Sequence, residues 1–194
     1  DCIMREDLNS LLRRTRIVSG FILFFYAATH LLNHSLATFS ISTADAAREY
    51  FIAFWRNPAA EIFLFSSFAL HILLGIQAVL RRKSFKMTKR EWLQMTFPFV
   101  ALLALIPHIL TTAILSRVFA VTDNYELIFA ATLVDPAKAS SNVIFFSLMV
   151  VLIWTHGVIG IHGLLQTKPL YARLPFFVCS YVFVRQRHLV QKLL

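Results

Sequence analysis

The chain has 194 residues, is 58% apolar and carries a formal net charge of +9, with a mean hydropathy of +0.66. That balance excludes an ordinary soluble domain and points to a membrane protein. It does not point to nucleic acid, because the basic residues gather at the ends of apolar stretches instead of forming a patch of their own.

Residues 1–16 are polar and read as a cytoplasmic segment with a short lead-in helix, capped by Asp7 or Asn9. No apolar segment followed by a small-residue cleavage site opens the chain, so no signal peptide is expected. The first span runs over about 17–39. The loop 40–60 after it holds a helix start at Ser42-Thr43-Ala44-Asp45. Its aromatic face of Tyr50, Phe51, Phe54 and Trp55 suits a membrane interface, and Asn57-Pro58 ends it. The second span, about 59–80, stops at a basic loop containing Arg81, Arg82, Lys83, Lys86, Lys89 and Arg90.

The third span, about 92–116, contains Pro98 and Pro107, so a kink is expected there. A loop with turn signals at Asp123-Asn124-Tyr125 and Asp135-Pro136 leads to the fourth span, about 143–165. Each of the four is long enough to cross a hydrocarbon core of about 30 Å. The basic loops alternate with loops poor in Lys and Arg, which places the N-terminus and the 81–91 loop in the cytoplasm. Residues 174–184 give an apolar run too short to span. Residues 173–194 read as incomplete further helices and a cytoplasmic connector, and the last eleven of them, 184–194, are equally an amphipathic end on the inner surface. Cys2 and Cys179 have no CxxC spacing, and neither a disulfide framework nor a zinc site follows from them.

The chemistry lies in the histidines. An ionisable side chain inside a membrane helix is costly and marks function by default. His30, His71, His108 and His156 fall one on each span, and His34 adds a second to the first. One histidine of this kind more often packs by a hydrogen bond than binds a ligand, but four on successive spans favour a cofactor. Counted at about 1.5 Å per residue from the cytoplasmic ends, His30 and His108 form an outer layer and His71 and His156 an inner one.

In an up-down bundle the first and third helices are diagonal, as are the second and fourth, so each layer pairs across a diagonal wide enough for a flat ligand. Two opposed imidazole pairs are what two six-coordinate haem b groups require. Small residues accompany them: Ser19 on the face of His30, Ser67 and Gly75 around His71, Ala104 and Thr112 around His108, and Gly160 and Gly163 after His156. Small residues also serve plain helix packing in membranes.

His34 and His162 read as partners of a haem propionate, a quinone or the membrane interface instead of axial ligands. Asp123 and Tyr125 are further polar candidates near the outer surface. No HExxH, Walker loop, GxSxG or carboxylate dyad is present, which leaves hydrolytic and phosphoryl chemistry without a visible basis.

At these residues the sequence resembles a family. Ser19-Gly20 followed by His30-Leu31-Leu32-Asn33-His34 is similar to the first helix of the membrane anchor of certain bacterial class III adenylate cyclases. That anchor is related to the dihaem cytochrome b subunit of succinate:quinone and fumarate oxidoreductases. The resemblance continues through Phe54-Trp55-Arg56, Leu70-His71, Pro107-His108, Thr122 to Tyr125, Asp135-Pro136 and Trp154 to His162, covering about residues 15–172.

It implies axial ligation by His30, His71, His108 and His156, two haem b groups, and a quinone-responsive all-α transmembrane bundle with six helices in the complete domain. It also implies a bacterial inner-membrane location and a fused cytosolic cyclase; a homodimer is the expected assembly. The fifth and sixth helices and the cyclase are not recognisable in this chain. Two other readings stand beside the sensor: a cytochrome b anchor subunit of a succinate dehydrogenase or fumarate reductase complex, and a cofactor-free membrane anchor or dimerisation module.

Overall fold

A computed structural model describes residues 2–84, 86–120 and 124–166. The first helix, α1, runs over Cys2–Ser35. The polar N-terminal residues therefore continue straight into the first span and form no separate lead-in helix. After a 3₁₀ turn at Leu36–Thr38, α2 spans Ile41–Trp55. Its N-cap is Ser40, whose hydroxyl accepts from Thr43 N at 3.0 Å, slightly upstream of the expected start.

Tyr50 and Phe54 on α2 are exposed, as expected of an interface helix. Trp55 is instead buried, and its indole N–H donates to Thr29 Oγ1 at 3.2 Å. Asn57-Pro58 belongs to the next helix, with Asn57 as N-cap and Pro58 in the first turn of α3, Pro58–Leu80.

Thr88 and Glu91 form a capping box at the start of α4, Lys89–Ile109. This helix passes through Pro98 and Pro107 and widens into a π-helical turn at Leu110–Leu115 before a last short turn, α5, at Ser116–Val118. Near Pro107 the Thr111 and Thr112 hydroxyls donate to the carbonyls of Pro107 and His108 at 2.9 and 2.7 Å, satisfying acceptors where the regular ladder changes. The loop beyond holds a further helix, α6, at Tyr125–Leu133, capped by Asn124. Asp135 caps α7, Pro136–Leu165, with Pro136 in its first turn.

Four of these helical stretches are long and apolar enough to cross a membrane: Glu6–Thr38, Pro58–Leu80, Lys89–Ile114 and Pro136–Leu165. Even the shortest, of 23 residues, extends about 35 Å at 1.5 Å per residue. The described chain is thus an all-helical, multi-pass membrane bundle. Its large apolar side chains, among them Leu73, Leu103, Ile144 and Val151, face outward, as lipid-facing residues do.

The packing divides the bundle in two. α1 lies chiefly on α3 and α4 chiefly on α7, while contact between these two pairs is sparse and concentrated where α1 meets α7. At that meeting point Gly157 lets Phe24 lie against the α7 backbone, and Phe24 packs on Trp154 with ring centroids 5.0 Å apart. The basic ends gather at one end of the bundle. Arg81 at the end of α3 donates to Asn9 Oδ1 on α1 at 3.0 Å, and Arg90 at the start of α4 donates to Gln166 Oε1 after α7 at 2.9 Å. The expected segment 173–194 lies outside the described residues.

Candidate functional site: two opposed imidazole pairs

Each half of the bundle presents two histidines to the other: His30 on α1 and His71 on α3 from one side, His108 on α4 and His156 on α7 from the opposite side. The structure brings them together as two pairs. His30 and His108 have ring centroids 6.1 Å apart, and so do His71 and His156. A metal held between two imidazoles by bonds of about 2.0 Å, with about 1.1 Å from each nitrogen to its ring centre, separates the centroids by about 6 Å. Both pairs meet that separation. Neither α1 with α4 nor α3 with α7 packs closely, so the pairing is across diagonals.

The inner pair has a defined chemistry. His71 Nδ1 lies 3.1 Å from the Arg16 carbonyl on α1, and His156 Nδ1 lies 3.0 Å from the Gln94 carbonyl on α4. A carbonyl oxygen only accepts, so in both rings Nδ1 carries the proton. The neutral ring then keeps its lone pair on Nε2, the nitrogen left to bind a metal. Ser19 strengthens the α1 side: its hydroxyl donates to the same Arg16 carbonyl at 3.1 Å and lies 3.3 Å from His71 Nδ1. Ser19 shares a face of α1 with His30, one level away, and thus serves the inner pair. Ser67, one turn before His71, is buried as well.

Gly20 is the seat of the His71 ring. A Cβ there would lie 2.8 Å from His71 Cε1 and 3.2 Å from Nδ1, so a side chain at this position and the observed ring cannot coexist. Gly160, expected at a cofactor edge, instead faces the Gln94 amide, whose nitrogen would lie 3.2 Å from an added Cβ; it serves the α4–α7 contact. Gly75 and Gly163 meet open space.

The outer pair is more crowded. Asn33 Nδ2 donates to the Tyr125 hydroxyl at 2.7 Å, and that hydroxyl lies 3.0 Å from His34 Nδ1. The phenol oxygen and His34 Nδ1 share one proton, and His34 Nε2 lies 3.0 Å from His30 Nε2, so one of those two ring nitrogens donates to the other. Binding a metal at His30 Nε2 requires His34 to turn aside. Tyr26 stacks on His30, with centroids 5.6 Å apart and planes 11° from parallel, and Phe146 meets the edge of His108.

Tyr125 is buried at the start of α6, and its backbone N–H donates to Asp45 Oδ1 at 2.8 Å, tying α6 to α2. Burial raises its phenol above the usual value of 10, with the Asp45 carboxylate adding to the rise and the Asn33 hydrogen bond and Arg48 opposing it. His162 lies in the last turn of α7, outside both pairs. Asp123 falls outside the described residues.

Among the described residues no group of three or more His, Cys, Asp or Glu side chains could hold a bare metal ion. The donor set is two imidazoles per level. A bare ion of the zinc type takes at least three protein ligands, whereas a porphyrin supplies four equatorial nitrogens and asks the protein for two axial ones. The inner pair fits that demand directly, and the outer pair fits it once His34 releases His30.

Sequence reasoning did not find Gln94, Asn33, Asp45 or Tyr26 at these sites. Gln94 carries a signal, a polar amide inside an apolar span, but its contribution to the histidine is a backbone carbonyl, which no side-chain pattern reveals. Comparison with protein-family models, curated proteins and solved structures finds no match for this chain.

Proposed function

We propose that this chain is a dihaem b transmembrane sensor and anchor that exchanges electrons with membrane quinol and regulates a fused cytosolic adenylate cyclase from the bacterial inner membrane, with its N-terminus cytoplasmic. One observation carries the haem reading: two imidazole pairs at one centroid separation of 6.1 Å, the inner pair with both Nδ1 atoms tied to backbone carbonyls. The quinol and cyclase parts rest on the order and spacing of the motifs described above. The orientation rests on the basic residues gathered at one end of the bundle.

Haem b, when bound, supplies one-electron chemistry at each level. The chain's own residues do the rest. His71 and His156 present Nε2 in a fixed tautomer, and the Arg16 and Gln94 carbonyls raise their basicity as ligands. Gly20 admits the His71 ring against α1. At the outer level Tyr125 and His34 form a hydroxyl–imidazole pair near the membrane surface, suited to hydrogen-bond a quinol hydroxyl. The lipid-facing apolar shell excludes water and lowers the local dielectric, so a charge gained between the helix pairs acts strongly on their separation.

The test is a reduced-minus-oxidised spectrum of the purified protein together with haem stoichiometry. Two b-type haems per chain are expected. Haem-free protein after expression with ample haem supply would overturn the proposal. Co-purification with flavoprotein and iron–sulfur subunits would assign the chain to a respiratory complex instead.

A further inference from the structure

In a regular α-helix the carbonyl of residue 94 accepts from the N–H of residue 98. Residue 98 is Pro98, inside α4, and a proline has no N–H to give. The Gln94 carbonyl, left without that helical donor, is the one that accepts from His156 Nδ1 at 3.0 Å. We propose that Pro98 is the positioning residue of the inner site: it leaves the Gln94 carbonyl to His156 and so holds the imidazole with Nε2 turned to a metal.

This explains a proline inside an apolar span without invoking a bend. A proline in a helix interior is destabilising, partly through the lost hydrogen bond. Here the orphaned acceptor is a donor's partner on the neighbouring helix, as membrane helices require of freed backbone groups. The second proline of α4 makes the contrast. Pro107 removes the donor for the Leu103 carbonyl, and Leu103 is 76% exposed on the outer face of the bundle. On the α1 side the acceptor is reached differently. Arg16 precedes Gly20 by four residues, and there the absence of a side chain brings His71 close enough to share a carbonyl that Ser19 also uses.

The proposal rests on the haem reading for its spectroscopic test, and a second readout is independent of it. Pro98→Ala and Pro98→Val both restore the N–H at 98, one with less bulk and one with nearly the same, while Pro107→Ala restores a donor elsewhere in the helix. In the full-length detergent-purified protein, redox titration between ferricyanide and dithionite should show one of two haem potentials moving positive in both Pro98 variants. A carbonyl shared with a helical N–H makes His156 a less basic ligand. The other potential, and both potentials in Pro107→Ala, should stay in place. Unmoved potentials in both Pro98 variants, a shift in Pro98→Ala alone, or an equal shift in Pro107→Ala would overturn the proposal.

If the wild-type protein carries no haem, the functional reading falls but this one is still decided. The ¹⁵N signals of His156 should report the Nδ1–H tautomer in the wild type and a mixture with Nε2–H in the Pro98 variants. An unchanged tautomer would overturn it.

Discussion

Gly20→Ala is the sharpest perturbation of the inner site. The new methyl carbon would stand 2.8 Å from His71 Cε1, whereas carbon atoms in contact sit about 3.5–4.0 Å apart. The ring must therefore retreat by about 1 Å, and its 3.1 Å bond to the Arg16 carbonyl passes beyond hydrogen-bonding range. An off-rotamer side chain costs about 0.5–1.5 kcal/mol, and a buried polar group that loses its partner costs about 1–3 kcal/mol.

Together these give about 1.5–4.5 kcal/mol, or about 10- to 2,000-fold in affinity for a ligand that needs His71 in place. The helix itself responds in the opposite sense, since Ala in a helix interior is favoured over Gly by about 0.5–1 kcal/mol. Haem stoichiometry by pyridine haemochrome, read beside far-UV circular dichroism, separates the two effects. The expected result is a fully helical protein whose haem content drops from two per chain to one. Retention of two haems with unaltered potentials would refute the account of Gly20 as the seat of His71.

Further outcomes follow from the same structure. His71→Ala or His156→Ala should each remove one haem and leave the other, because the two pairs share no ligand; loss of both would contradict separate levels, and haem extraction measures it. Tyr125→Phe removes the hydroxyl between Asn33 and His34 and should lower stability by about 1–2 kcal/mol, seen as a lower thermal midpoint. Because burial raises the Tyr125 phenol above 10, its contribution is complete below pH 10 and is lost as pH climbs from 10 through the folded-state value. Wild-type protein should therefore lose more stability above pH 10 than Tyr125→Phe does. Gly157→Ala puts a carbon 2.5 Å from Phe24 Cδ2 and should cost about 1–3 kcal/mol by overpacking the α1–α7 contact. Glu61→Gln breaks a partly exposed pair with Arg117 and should change the thermal midpoint by no more than about 1 kcal/mol allows.

The spans were legible because a bilayer leaves a helix almost no other pattern: about twenty apolar residues, with charge collected at the ends. The helix starts at Asn57-Pro58 and Asp135-Pro136 were visible as dipeptides but were read as ends or turns, since a cap and a turn draw on the same residues. The α6 helix was missed for its length. Nine residues between turn signals do not show a period that a loop lacks. Trp55 was placed at the interface by residue type, and the Thr29 hydroxyl on the facing helix turned it inward.

The sequence by itself determined that four helices cross a membrane, that each carries a histidine, and that rise per residue sorts those histidines into two levels. These are one-dimensional quantities, countable along the chain. Only the tertiary structure decided which ring nitrogen each inner histidine offers, because that follows from a neighbouring helix's carbonyl and not from any side chain. It decided likewise that Gly20 seats His71 while Gly160 serves Gln94, since a glycine's use depends on what approaches it. It also placed His34, expected beside a haem propionate, a quinone or the membrane interface, in a hydrogen bond with His30 Nε2. His34 and His30 sit one turn apart on the same helix face, but the partner that orients the pair, Tyr125, arrives from 91 residues away.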